Sequence, residues 1–221
     1  MGSLDFVCLA SSRKHNGRCV AGITRSGEWI RPVSPEPDGT LYSQHYILND
    51  GSEPATLDVI RIAAFRAPEP HQPENWRISG AQWQHLGRLR RQEAKPWLQQ
   101  AANPRPYLLG SPSDRISYEY LVEHPIQSSL CLVEPAKLLW WITSNARGSR
   151  QIRAIFSLAG AEYNLSVSDP VWADRLSALG MGTYDNTDAG VSASQSIFLT
   201  VSLTEPFNGS CFKLIAAVIV L

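Results

Sequence analysis

Apolar and polar residues alternate along much of the chain, which is the pattern of strands with one buried face. The clearest case is 161–168, where Ala, Tyr, Leu and Val alternate strictly with polar residues. Such stretches predict strands at 6–10, 18–24, 28–33, 57–65, 129–133, 137–143, 152–158, 161–168 and 197–203. The last stretch, 212–221, is apolar on both faces, which predicts a central and fully buried strand.

Helical patterns interrupt the strands at two places. From about Ala81 to Gln100, helical spacing puts Trp83, Leu86 and Leu89 on one side, which predicts a helix. Asp169 as the N-cap and Pro170 at the first helical position predict a second helix, which ends near Gly180.

The second half therefore has the order strand, strand, strand, helix, strand, strand. This is the chain order of an OB barrel, a five-stranded β-barrel with a helix after its third strand. The first half fits the same order with longer insertions. We expect a mainly β protein with two OB-like five-stranded barrels and short helices, packed as one unit. Residues 1–126 are predicted to form the first barrel with a helical insertion, and residues 127–221 the second.

Charge and composition narrow the classes of function. Twenty basic and twenty acidic residues give a net charge of zero, which excludes a histone-like binder held by bulk charge. The basic residues comprise 16 Arg and 4 Lys. Arginine makes forked contacts with phosphate and stacks on rings, although a bias toward arginine is also ordinary in GC-rich bacterial genomes.

Motifs of the common enzyme classes are missing from the sequence. It contains no glycine-rich nucleotide loop, no Gly-x-Ser-x-Gly elbow and no His-Glu-x-x-His zinc helix. Cys8, His15 and Cys19 form the one close Cys/His grouping, and their spacing fits no common zinc pattern. The four cysteines lie in apolar stretches, which predicts reduced, metal-free thiols. We expect a protein that is not an enzyme and has no catalytic residues, cofactor or metal.

The sequence shows no signal peptide, and its longest apolar run, 214–221, is far shorter than the roughly 20 residues of a membrane-spanning helix. We therefore expect a cytoplasmic protein that does not contact a membrane.

The first predicted hairpin contains the candidate binding residues. If Cys19, Ala21, Ile23 and Ile30 point into the barrel, then Arg18, Trp29 and Arg31 point outward, because neighbouring residues of a strand alternate between its faces. OB folds bind oligonucleotides on the outer face of strands two and three and on the loop between strands one and two. An indole for base stacking beside basic groups for phosphate suits a single strand. The alternative is that Trp29 packs under the helix or against the second half, and that Arg31 pairs with an acid. The candidate ligand-binding residues are Arg13, Lys14, His15, Arg18, Trp29 and Arg31.

Two further groups of residues have structural interpretations that we favour. In the string His-Gln-Pro-Glu-Asn-Trp at 71–76, Trp76 is predicted to anchor a loop onto a barrel. Arg147, Arg150 and Arg153 form a second basic set without an aromatic residue, for which a solvated loop is the favoured explanation.

Several strings resemble the bacterial dual OB-containing domain family, and the resemblance spans essentially the whole chain. They are Cys8-Leu-Ala-Ser-Ser-Arg-Lys, Gly17-Arg-Cys-Val-Ala-Gly, Gly27-Glu-Trp-Ile-Arg-Pro-Val-Ser, Glu74-Asn-Trp and Glu205-Pro-Phe-Asn-Gly-Ser-Cys-Phe-Lys-Leu-Ile-Ala-Ala. The resemblance implies two OB-like barrels and, by association, a nucleic-acid-related role that extends to prokaryotic defence systems. It implies no catalytic residues.

Two classes of function remain open from the sequence. The first is a non-enzymatic module that binds single-stranded DNA or RNA, or a nucleotide-like ligand. The second, favoured by the zero net charge, is a protein-interaction or sensor subunit that binds a protein partner. A nuclease or nucleotide-processing enzyme is disfavoured because the sequence has no clustered acids. A basic groove on the surface would favour nucleic acid, and a flat apolar patch would favour a protein partner.

Overall fold

Two β-sheets make up most of the computed structural model, which describes residues 2–102, 106–145 and 148–221. The strands of the first sheet are β1 (Gly2–Lys14), β2 (Gly17–Thr24), β3 (Trp29–Val33), β4 (Asp58–Arg66), β5 (Asn75–Ile78) and β6 (Gln84–Arg88). Those of the second sheet are β7 (Arg115–Ser117), β8 (Leu130–Val133), β9 (Lys137–Ser144), β10 (Arg150–Leu158), β11 (Ala161–Val167), β12 (Gly182–Tyr184), β13 (Ile197–Leu203) and β14 (Ser210–Val220). The α-helices are α1 (Ser43–Tyr46), α2 (Arg91–Ala101), α3 (Tyr118–Glu123) and α4 (Pro170–Arg175), with 3-10 turns at Leu108–Gly110 and Leu176–Ala178.

The first sheet closes into a five-stranded barrel. Its strands follow the order β1-β2-β3-β5-β4, and β1 also pairs with β4. The long strand β1 can serve both neighbours because a bulge between Cys8 and Ala10 bends it. Strands β3 and β5 are parallel, and the other pairs of this barrel are antiparallel.

The second sheet has the same strand order. Here β8 and β9 together take the place of the first barrel strand, since β8 pairs with β13 and β9 pairs with β10. The order then continues through β11, β14 and β13, with β11 and β14 parallel. Helix α4 follows the third barrel strand, where the sequence predicted it. The expected fold, mainly β with two OB-like barrels, is confirmed.

The helix predicted from residue 81 to residue 100 is wrong in its first part. Gln84–Arg88 is a strand that pairs with β4, and only Arg91–Ala101 is helical, with Pro96 inside the helix. Trp83, predicted to lie on this helix, is instead fully buried in the core of the first barrel. In this segment the backbone hydrogen bonds to β4 stabilise a strand more than the helical spacing of only three apolar residues would stabilise a helix.

The two barrels share a buried junction in addition to their own cores. Apolar side chains from both barrels and from α2 meet there: Leu9, Ile23, Leu98, Leu132, Phe198 and Ile219. Four alanines, Ala10, Ala21, Ala216 and Ala217, belong to a neighbouring cluster where β1 and β14 come close. The outer face of β1, β2 and β3 is therefore covered by the second barrel. Strand β7 belongs to the second sheet although it precedes residue 126, and the domain boundary at that residue stays a prediction.

The cysteines have free thiols. Cys8, Cys131 and Cys211 are buried, and Cys19 is half-buried. Burial raises the pKa of the Cys8 and Cys131 thiols to about 12, which keeps them protonated at neutral pH. None of the helices in the described ranges combines the length and hydropathy that crossing a bilayer requires.

Strand β14 lies at the centre of the second sheet and pairs with β7, β11 and β13. Deletion of residues 214–221 should therefore leave the chain unfolded or insoluble, as measured by circular dichroism and by the yield of soluble protein. As a graded test, Ile215→Ala should lower the free energy of unfolding by about 2–5 kcal/mol. Val171→Ala, at a residue that is 70% exposed, should change it by less than about 0.5 kcal/mol. A truncated chain with an unchanged thermal transition would contradict this role of β14.

Candidate functional site

Arg31 does not reach solvent, which corrects the prediction from the hairpin pattern. Only 3% of the residue is exposed. Its Nε donates to Oε1 of Glu74 at 3.0 Å, and its Nη2 donates to the hydroxyls of Ser129 at 2.7 Å and Ser202 at 3.1 Å. Glu74 also accepts from the backbone nitrogen and the hydroxyl of Ser129, at 2.9 and 2.5 Å. Because both serines belong to the second barrel, this buried ion pair joins the two barrels.

Trp29 is likewise part of the junction. It is half-buried and packs against the apolar clusters that combine residues of α2 and of both barrels. Trp29 and Arg31 do share a face that points out of the first barrel, as predicted. That face is covered, so the alternative interpretation is the one observed, and Trp29 is not a free surface for base stacking.

Arg18 is on the same face of β2 as Val20, which is the face opposite to Ile23. Val20 and Ile30 line the core of the first barrel, whereas Ile23 faces the junction, which reverses the predicted orientation of β2. The Arg18 side chain accordingly turns away from Arg31 and pairs with Glu53, Nη2 to Oε2 at 2.9 Å. The alternation of residues along β2 could not show which face lines the barrel core and which lies at the junction, because both faces of β2 are buried.

The three basic residues around the turn between β1 and β2 each have an acidic partner. Arg13 pairs with Asp174 of the second barrel at 3.4 Å. The Lys14 ammonium pairs with Glu205 at 3.2 Å and also donates to the backbone carbonyl of Asp38. His15 lies 3.4 Å from the carboxylate of Asp38.

Glu205 connects this turn to the buried ion pair. Its Oε2 lies 2.6 Å from Nε2 of His71, which is 6% exposed. In the amide orientation that satisfies its neighbours, Gln72 donates to Glu205 at 3.2 Å and accepts from Arg31 at 3.0 Å. Burial by itself raises the pKa of Glu205, but the hydrogen bond from His71 and the charge of Lys14 together lower it to about 2. A continuous polar network therefore runs along the junction.

This network forms one end of a cleft of about 720 Å³ between the barrels. Arg13, Lys14, His15 and Arg31 line the cleft from the first barrel. The second barrel contributes its second and third strands, through Gln151, Arg153, Asn164 and Ser166, and the loop between its fourth and fifth strands, through Thr204–Phe207. Of the six predicted site residues, four line the cleft, while Arg18 and Trp29 do not.

Arg153 is held by neutral oxygens. Its Nε and Nη2 donate to the side-chain and backbone oxygens of Asn164, both at 2.6 Å, and its Nη1 donates to the hydroxyl of Ser166 at 3.0 Å. Across the described ranges it makes no ion pair. Burial lowers the pKa of Arg153, and the charge of Asp114 opposes this effect only in part.

From the sequence, a solvated loop was the favoured explanation for Arg147, Arg150 and Arg153. This prediction is wrong for Arg153, which lies on β10 within the cleft. Arg150 donates to the backbone carbonyls of Leu176 and Leu179, at 2.9 and 2.6 Å. Arg147 lies outside the described residues.

Phe207 is a further cleft residue that the sequence analysis missed. It belongs to the loop after β13, is 66% exposed and lines the cleft. Its position between the fourth and fifth strands of an OB barrel was the available signal, because that loop is one of the usual binding loops of the fold.

The string at 71–76 has a larger role than anchoring a loop. Trp76 does pack, half-buried, against the core of the first barrel, as predicted. However, His71, Gln72, Glu74 and Asn75 are all buried, and the first three of them form part of the polar network at the junction.

Two barrels of OB topology that bury their facing surfaces and leave a polar cleft define a dual-barrel β protein with a site at its junction. The chain belongs to the dual OB-containing domain family, whose family model matches residues 4–218. A comparison with curated proteins finds no match.

Similar solved structures include the Ifi202 HINa domain in complex with 20bp dsDNA, with a TM-score of 0.35 and 8% identity, covering 100% of this chain and 95% of that chain. Another, described as "Structural mimicry for functional antagonism", has a TM-score of 0.32 and 8% identity and covers 99% of this chain and 91% of that chain. At such scores and identities, these likenesses carry no argument about what this chain binds.

Removal of the Arg31 charge should destabilise the protein strongly, because it leaves the Glu74 carboxylate buried without its cationic partner. Arg31→Met should lower the free energy of unfolding by about 3–5 kcal/mol, as measured by chemical denaturation. The matched control is Arg61→Met, which breaks an exposed pair with Asp5 and should cost less than about 1 kcal/mol. Equal losses in the two variants would contradict a buried ion pair.

The acid sensitivity of the protein should depend in part on Glu205. Because its folded pKa, about 2, lies below its usual value of 4.5, its contribution is complete above about pH 5 and is lost as the pH falls toward 2. Thermal unfolding between pH 6 and pH 3 should therefore change less in Glu205→Gln than in the parent. Glu162→Gln, at an exposed carboxylate, is the control and should follow the parent. Parallel pH profiles for all three proteins would contradict this contribution.

Proposed function

We propose that the chain is a non-enzymatic module that binds single-stranded nucleic acid in the cleft between its barrels. One observation carries the proposal. OB folds hold oligonucleotides on the face of their second and third strands and on the loop between their fourth and fifth strands. In the second barrel this face and this loop are not covered by the first barrel, and they form one wall of the cleft.

The side chains of this wall suit a single strand. The guanidinium of Arg153 can bind a phosphate, and the exposed ring of Phe207 can stack on a base. The turn with Arg13, Lys14 and His15 supplies the opposite wall, so these predicted residues border the ligand, although each of them faces an acidic partner. The stacking role passes from Trp29, which is engaged in the junction, to Phe207.

The state of His71 and Glu205 supports a binding role. Nε2 of His71 is engaged by Glu205, and its Nδ1 is buried with no hydrogen-bond partner in the described chain. His71 therefore holds Glu205 in place on the wall of the cleft, while its own ring does not line the cleft. The choice between DNA and RNA, a cytoplasmic location and a role in prokaryotic defence stay predictions.

The proposal is tested by the affinity for fluorescent oligo-dT and oligo-U at about 50 mM salt, where weak electrostatic binding is still measurable. Phe207→Ala should weaken binding by about 1–3 kcal/mol, the usual value of one stacked base. Arg153→Gln should also weaken binding, and by more at low salt.

Matched controls separate these effects from general changes in the surface. Phe65→Ala removes an aromatic ring that is 43% exposed, and Arg91→Gln removes an exposed guanidinium, both outside the cleft. Neither control should change the affinity. Lack of binding by the parent to any oligonucleotide would refute the proposal and favour the alternative of a protein partner.

A further inference from the structure

We propose that the cleft binds a single phosphate at Arg153 and recognises only one or two nucleotides, so that a mononucleotide or the end of a strand fills it. This inference rests on the proposed function and specifies the ligand. It sets the protein apart from single-strand binders whose OB folds follow about 4–16 nucleotides of backbone.

The distribution of charge in the cleft is the first argument. Arg13, Lys14 and Arg31 already have acidic partners, in the pairs Arg13–Asp174, Lys14–Glu205 and Arg31–Glu74, and His15 lies 3.4 Å from Asp38. A strand that engaged these residues would compete with a carboxylate at each of them. Arg153 differs because its hydrogen bonds within the described chain are all to neutral oxygens. The charge of Asp114, which also lines the cleft, acts on Arg153 without forming an ion pair with it in the described residues.

The donor count of Arg153 is the second argument. A guanidinium has five N–H groups, and Asn164 and Ser166 accept from three of them. One N–H on each terminal nitrogen remains, which matches the forked contact that arginine makes with two phosphate oxygens. The existing hydrogen bonds hold the side chain in place, so little conformational entropy is lost on binding.

Lys213 also borders the cleft but does not provide a second phosphate site. Its side chain is on the barrel side of β14, where the ammonium donates to the backbone carbonyls of Ser111 and Ser113 at 2.5 and 2.7 Å. It lies 5.7 Å from the ring of Tyr163, a residue of the second barrel core.

The size and aromatic content of the cleft are the third argument. Its volume of about 720 Å³ falls within the roughly 300–1,000 Å³ that is usual for small-ligand sites. Phe207 offers an exposed ring, whereas the other phenylalanine of the cleft, Phe212, has the guanidinium of Arg115 over its ring at 4.8 Å. One phosphate and one stacked base together describe about one nucleotide.

A length series tests the inference directly. The affinities of thymidine 5′-monophosphate and of oligo-dT with 2, 4, 8 and 12 nucleotides are measured by calorimetry or by competition. After division by the number of overlapping binding registers, affinity should rise up to the dinucleotide and then stay constant within about twofold. A gain of tenfold or more from 2 to 8 nucleotides would overturn the inference and leave the proposed function standing. Lack of binding by every member of the series would overturn both.

Salt dependence gives a second readout of the number of phosphates. The logarithm of the affinity should fall with the logarithm of the salt concentration at a slope of about −0.7 per phosphate contacted on a single strand. The expected slope is between about −0.7 and −1.4, and Arg153→Gln should make it shallower while the Arg91→Gln control leaves it unchanged. A slope steeper than about −3, or one that Arg153→Gln does not alter, would overturn the single-phosphate site.

Discussion

The buried ion pair between Arg31 and Glu74 is the contact on which the arrangement of the two barrels depends. Removing two charges from water is costly, and the cost is offset only where the geometry is good and the remaining donors and acceptors are satisfied. Ser129 and Ser202 of the second barrel supply the missing hydrogen bonds. If the barrels docked one residue out of register, charges would be left unpaired in an apolar junction. Apolar contacts are less directional, so the nearby apolar clusters would tolerate such a shift. We therefore attribute the relative orientation of the barrels to the ion pair, and most of the stability of the junction to the apolar clusters.

The same network determines the electrostatics of the cleft. Through Gln72 it reaches Glu205, which forms an ion pair with Lys14 and a hydrogen bond with His71. These basic residues consequently serve the docking of the barrels and offer little free charge to a ligand. The wall formed by the second barrel lies beyond the network, and there Arg153 keeps unused donors. Docking and the proposed binding are thus divided between the two walls of one cleft.

The sequence predicted the second barrel nearly strand by strand and the first barrel less well. In β10 and β11 one face packs on a core and the other is polar, so alternation marked both the strands and their orientation. In β2 both faces are buried, and the period of two could not distinguish the barrel core from the junction. The acidic partners were also beyond prediction, because Arg13 and Asp174 are 161 positions apart and meet only through the docking of the barrels. An acidic partner for Arg31 was one of the alternatives left open by the sequence, but nothing in the sequence identified Glu74 as that partner.

A net charge of zero is compatible with the proposed nucleic-acid site, although from the sequence it favoured a protein partner. Affinity for phosphate depends on the charge that remains uncompensated at the site, not on the sum over the chain. Arg13, Lys14 and Arg31 each have an acid within a few ångströms, and these pairs add to the counts of both signs while leaving little free charge for a ligand. Arg153 makes no ion pair within the described residues, although the charge of Asp114 acts on it. In a partly desolvated cleft its guanidinium attracts a phosphate more strongly than an exposed one, because less water screens the interaction. Total charge consequently says little about the ligand of a protein whose two halves are joined by ion pairs.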